Sequence, residues 1–113
     1  LRKRYACVEV VDRDANDGSL TIVSGYGAHS QWYRNLVVHP DIKIRIGRAR
    51  RAVHAELLSP ADGADAMADY ARRYARLAPK LMELCGAHID GTEADYREVA
   101  EKRLRFIRLE PRV

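Results

Sequence analysis

A chain of 113 residues with 47% apolar side chains is the size of one domain and can bury a core without disulfides or metal. Its two cysteines, Cys7 and Cys85, stand far apart and outside any CxxC or Cys/His spacing, which excludes a disulfide scaffold or zinc module and fits a reduced, cytoplasmic setting. The formal charge is +4, and the whole excess lies in residues 1–56, where ten Lys/Arg face six Asp/Glu.

That excess gathers in two clusters, Arg2-Lys3-Arg4 and Gly47-Arg48-Ala49-Arg50-Arg51. Such clusters suit a phosphorylated or carboxylated ligand, or nucleic acid; equally, they are solvated strand ends. No apolar run approaches the roughly 18 residues of a membrane span, and no charged start followed by an apolar middle marks a signal peptide. A soluble protein is the expectation.

In chain order, "YACVEVV" at residues 5–11 and "LTIVS" at 20–24 are short and β-branched, separated by the polar "DRDANDG", which predicts a hairpin with a longer loop. Ser30 caps a short helix from about Gln31 to Val38, which must stop before Pro40 because the residue ahead of a proline is pushed out of the helical region. "IKIRI" at 42–46 alternates, turns at Gly47 and Arg48, and returns through Arg51 to Leu58, a second hairpin. Ser59-Pro60 reads as an N-cap with proline at the first helical position, and Ala64, Met67, Ala71, Tyr74 and Ala78 recur at helical spacing. Pro79 interrupts that helix and begins another short apolar piece closed by Gly86. Thr92 with Asp95 resembles a capping box, predicting a helix from Glu93 to about Lys102. "LRFIRLE" ends the series as a strand.

The order β-β-α-β-β-α-α-α-β, without repeats or linkers, predicts one α+β domain: a mostly antiparallel sheet or small barrel with helices packed outside.

The segment most open to functional reading is Gly25-Tyr26-Gly27. It imitates the first two glycines of a dinucleotide fingerprint, but the third position is Ser30, the helix is short, and no acidic residue follows at the required distance. A Rossmann unit is therefore set aside. Glycines still let backbone approach a ligand closely, and a helix start attracts an anion, so the turn reads either as an anion cradle or as a structural corner.

"SGYGAHSQWYRNLVVHPDIKIRIG", with Trp32-Tyr33-x-Asn35-Leu36 followed by a proline and a strand ending in Gly47, resembles the deazaflavin-dependent nitroreductase and F420H2-dependent quinone reductase family. The similarity continues through "RRAVHAELLSP" and the closing "LRFIRLEP". It implies a split β-barrel like that of FMN-binding proteins, coenzyme F420 as cofactor (FMN being the alternative), and hydride transfer to a quinone, nitro compound or similar electron-poor acceptor. On this resemblance Ser24, Gly25, Tyr26 and Gly27 lie against the coenzyme, Trp32 and Asn35 support it from the following helix, and Arg4 contacts its phosphate side. Tyr70 and Tyr74, one helical turn apart, reach the acceptor, as tyrosines in this region do in some relatives. Two departures stand out: the chain starts after the family's basic Gly-Arg-x-Ser-Gly type loop, as a truncated form would, and Gly25 occupies a position where many members carry lysine.

The same residues have structural readings. Trp32, Tyr70 and Tyr74 can be core, and Asn35 can bond backbone. His29, His39, His54 and His88 show no metal-ligand spacing, and Cys7 and Cys85 have no neighbouring cation in sequence to activate them. Two other functions compete: a barrel that binds flavin or deazaflavin without turnover, and a nucleic-acid binder, disfavoured because the aromatics do not interleave with the basic residues. Monomer and homodimer remain equally open.

Overall fold

The computed structural model describes residues 9–24 and 31–112, with the side chains of residues 31 and 32 outside that description. Its elements are β1 (Glu9–Arg13), β2 (Leu20–Ser24), α1 (Gln31–Val38), β3 (Asp41–Ile46), β4 (Ala49–Leu57), α2 (Pro60–Arg73), α3 (Ala78–Leu84), α4 (Glu93–Arg103) and β5 (Arg105–Pro111). The five strands form one antiparallel sheet in the order β1-β2-β5-β4-β3. Fold class and element order are as the sequence predicts. The sheet is open among the described residues, with β1 and β3 at its edges, so no closed barrel is formed by them.

Two hairpins are joined by the strand that comes last. β5 lies between β2 and β4, pairing Ile22 with Ile107 and Ala55 with Leu109. The β3–β4 hairpin turns on Gly47, whose φ of 60° is followed by an ordinary negative φ at Arg48, the backbone sequence of a type II′ turn that matches strand twist. The β1–β2 loop is tied down by Arg108 of β5, which reaches Asp17 at 2.7 Å and Asp14 at 3.4 Å.

Side-chain alternation divides the sheet into two faces. Val23 and Phe106 point to one face, where Val11, Met67, Tyr70, Leu81, Met82, Tyr96 and Val99 close a core under α2, α3 and α4. Leu20, Ile22, Val53, Ala55, Ile107 and Leu109 point to the other, where Tyr33 and Leu36 of α1 cover them. The bulge between Val10 and Asp12 sends Val10 and Val11 to opposite cores, as an extra residue in one strand does.

The helix starts follow their caps. Ser59 Oγ accepts from the Asp62 N–H at 3.1 Å with Pro60 opening the helix, and Thr92 Oγ1 accepts from the Asp95 N–H at 3.2 Å. The second half of the expected capping box is different: the Asp95 carboxylate accepts from the Asp90 N–H at 2.7 Å instead of reaching back to Thr92. Asp is one methylene shorter than Glu, and the Thr92 N–H is already held by Asp90 at 2.8 Å.

The helix expected to run through Tyr74 to Ala78 stops at Arg73. Tyr74 leaves helical geometry at φ −128°, ψ 59°, and its carbonyl then accepts from the N–H of both Leu77 and Ala78. That turn lets Ala78 start α3 with Pro79 in its first turn, where a missing N–H costs nothing. Gly86, at φ 75°, ends α3 as expected, and the N–H of Ala87 returns to the carbonyl of Met82 at 2.9 Å.

Candidate functional site

Ser24, the last residue of β2, is where the chain enters Gly25-Tyr26-Gly27. The turn itself, Ser30, His29, Arg4, Cys7 and the side chain of Trp32 lie outside the described residues, so the predicted cradle is approached here through its neighbours. Those neighbours are fixed by strand register. On one side Glu9 of β1 pairs with Val23; on the other Arg105 of β5 pairs with Ser24.

Ser24 points to the α1 face and is 1% exposed. Its Oγ has no hydrogen-bond partner among the described residues. A buried hydroxyl left in that state costs about 1–3 kcal/mol, which makes it a residue to explain by what lies beside it.

Two clefts open at the two ends of α2, a 14-residue helix about 20 Å long at 1.5 Å of rise per residue. The first, of about 370 Å³, lies between β1 and the end of α2 and is lined by Glu9, Asp12, Tyr70, Arg73, Tyr74 and Leu77, among others. Tyr70 is buried and Tyr74 is 45% exposed, their ring centroids 5.2 Å apart and tilted by 41°. The structure thus brings the two predicted tyrosines together and gives them different parts: Tyr70 packs into the core and Tyr74 faces solvent. Burial raises the pKa of the Tyr70 hydroxyl above 10.0, with smaller contributions in the same direction from Glu9 and Tyr74, so it stays protonated at neutral pH.

Arg73 crosses this cleft. Its Nη2 donates to Asp12 at 3.1 Å and to the carbonyl of Val11 at 3.3 Å and lies 2.8 Å from Asp69, while the guanidinium carbon sits 5.4 Å from the centroid of the Tyr74 ring. That is within cation–π range.

The second cleft, of about 240 Å³, lies at the start of α2 and is lined by Tyr33, Leu57, Ser59, Gly63, Arg105 and Phe106, among others. It is narrow because α2 lies directly on β5: a Cβ at Gly63 would stand 2.8 Å from Cδ1 of Phe106. Arg105 is the charged residue of its lining, and the amide end of α2 adds partial positive charge. The clefts therefore differ in kind: the first balances Glu9 and Asp12 against Arg13 and Arg73, whereas the second is cationic among the described residues.

Asn35 is on the exposed side of α1, and its backbone carbonyl accepts from the His39 N–H at 2.8 Å. His54 pairs with Asp41 at 2.8 Å, and His39 and His88 are exposed. Cys85 is half-buried, and burial raises its thiol pKa above 9.0. Among the described residues no three of His, Cys, Asp or Glu come together as a metal site. Sequence reasoning missed Arg73, which reads as a solvated partner of Asp69 one turn earlier, and Arg105. The alternation of β5 could have found Arg105, because it shares a face with Ile107.

An antiparallel sheet with two clefts of different charge at the ends of one helix leaves room for a separate bound group. The chain matches the model of the F420H2-dependent quinone reductases over residues 5–82, more than half its length, and it belongs to that family. Its class is that of the F420-dependent oxidoreductases, whose named acceptor, a quinone, is a small molecule. A comparison with curated proteins finds no match. No helix among the described residues is long and apolar enough to cross a membrane.

Proposed function

We propose that this protein transfers a hydride from reduced coenzyme F420 to an electron-poor acceptor, a quinone or a nitro compound, at the sheet end where Gly25 to Gly27 leave β2. The observation that carries this reading is the hydroxyl of Ser24, buried at the last position of β2 without a hydrogen-bond partner among the described residues, with Arg105 of the cationic cleft as its register partner and Glu9 of the other cleft paired to the preceding Val23. The residues present fit the coenzyme: a hydroxyl in want of a partner, the guanidinium of Arg105 on the neighbouring strand, and an amide end of α2 suit a group that is flat at one end and anionic at the other.

The bound coenzyme supplies the hydride from the carbon at position 5 of its ring, so the chain's own task is to orient, to shield and to match charge. In this reading Ser24 and the amides of Gly25, Tyr26 and Gly27 hold the ring, Trp32 and Asn35 brace the turn from α1, and Arg105 with Arg4 meets the anionic portion. Tyr74 offers its exposed ring to a flat acceptor, with Tyr70 packed beneath it. The split β-barrel of the family is the architecture that would bring the two open sheet edges together around these residues.

Titration with F420, followed by absorbance and fluorescence, tests this directly. Saturable binding is expected, and Ser24→Ala should weaken it roughly 2- to 10-fold while raising the stability of the free protein, because a buried hydroxyl without a partner is removed. Absence of saturable binding by the wild-type protein overturns the reading. Binding without reduction of any quinone or nitro acceptor would reduce it to a carrier of the coenzyme.

A further inference from the structure

The guanidinium of Arg73 is held from one end only. Its hydrogen bonds to Asp12 and the Val11 carbonyl and its approach to Asp69 at 2.8 Å all engage Nη2, so among the described residues no hydrogen bond engages Nε or Nη1. Arginine presents five N–H donors in a fixed fork, and here the unused ones belong to a group that lines an open cleft and lies beside the exposed Tyr74 ring. A flat molecule on Tyr74 would have its edge within reach of them.

The charges lining the cleft balance among the described residues, and Asp69 adds a further carboxylate on the guanidinium. Glu9, Asp12 and Asp69 lie at or next to the cleft against Arg13 and Arg73. The Arg73 charge is thus already matched by two carboxylates, and what remains is hydrogen-bonding capacity without net positive charge. Such a site rewards a neutral oxygen acceptor and repels an anion.

We propose that the cleft between β1 and α2 selects an uncharged, flat acceptor whose carbonyl oxygen takes a hydrogen bond from Arg73, with Asp12 and Asp69 fixing the guanidinium and excluding anionic analogues. This rests on the acceptor position given above, and it adds both the residue that grips the acceptor and the charge class admitted. The second cleft, with Arg105 in its lining and no carboxylate there among the described residues, has the opposite preference. The anionic portion of the coenzyme and the neutral acceptor are thereby sorted to different ends of α2, with the hydride-donating ring between them.

The test uses the whole protein and two probes, 1,4-naphthoquinone and its 2-sulfonate, each titrated against intrinsic tryptophan and tyrosine fluorescence in the absence of coenzyme. The wild type should bind the neutral quinone at least about 10-fold more tightly than the sulfonate. Arg73→Gln should weaken neutral-quinone binding about 10-fold, the scale of a lost hydrogen bond to a charged group, with F420 affinity unchanged, and Arg73→Lys should restore part of it. Asp12→Asn should narrow the discrimination between the two probes. Equal binding of the probes by the wild type, or quinone affinity indifferent to Arg73→Gln, overturns the proposal. If Arg73→Gln does not fold, the wild-type comparison and Asp12→Asn decide the matter. Failure of F420 binding with these quinone results intact would remove the hydride-transfer reading and leave this one standing.

Discussion

One face of the sheet is treated in two ways. Over β1, β2 and the start of β5 it carries α2, α3 and α4, and Val11, Val23 and Phe106 are sealed beneath them. Over the β3–β4 hairpin the same face carries Asp41, Lys43, Arg45, Arg50 and His54, all exposed. The opposite face of that hairpin is apolar, with Ile42, Ile44 and Ile46 packed toward the α1 side. Both halves obey the same two-residue period; what differs is whether a helix is available to cover the second face. The helix-covered half therefore draws stability from close packing, while the hairpin half draws solubility and edge protection from charge, since Lys and Arg on an edge strand discourage pairing with another chain.

The largest test of this contrast is Gly63→Ala. In an open helix the change would stabilise by about 0.5–1 kcal/mol, but here the new methyl meets the ring of Phe106 at 2.8 Å, and Phe106 is 3% exposed with little room to yield. Overpacking of this kind costs about 1–3 kcal/mol, so the net effect should be a loss of about 1–2 kcal/mol in chemical denaturation. A gain would mean that α2 does not lie on β5 as described.

Smaller effects belong to the hairpin. Arg45 and Arg50 face each other directly across β3 and β4, a like-charge pair that destabilises by about 0.2–1 kcal/mol. Arg50→Glu should recover that amount at low ionic strength and lose the advantage as salt rises, read from denaturation midpoints at two salt concentrations. An effect independent of salt would argue for packing instead of charge.

The smallest is at Asp41. A hydrogen bond from His54 holds its carboxyl below the usual 3.8, with burial opposing and the Arg112 charge assisting. A carboxyl whose folded pKa is depressed contributes stability that is fully present above the unfolded value and lost as pH falls through the folded one. His54→Ala should therefore lower the melting temperature slightly at neutral pH and flatten its decline below about pH 4. Because both side chains are about half exposed, solvent screening keeps the effect small.

Much of the fold was legible because its signals are local. Pro40 and Ser59-Pro60 set helix boundaries that the structure reproduces, and α1 spans Gln31–Val38 as predicted. The end of α2 was not legible, since Tyr74 and Ala78 continue the apolar spacing and only the backbone shows the turn between them. Sheet order is non-local, and nothing in the pattern of "LRFIRLE" says that it inserts between two hairpins. At the proposed site, family resemblance pointed to Ser24 and the tyrosine pair, whereas the unequal burial of Tyr70 and Tyr74 depends on β1, more than fifty residues away. Arg73 was hidden for the same reason: its partners Val11 and Asp12 come from that strand.

The last strand of the five to be synthesised occupies the middle of the sheet. Until residues 105–111 emerge from the ribosome, each hairpin waits with its inner margin unpaired and neither core can close, so commitment to the native state waits for that strand. Long-range pairing of this sort slows folding and leaves sticky margins open in the interval, and a chain broken off before Arg105 would be a substrate for chaperones and proteases, not a smaller enzyme.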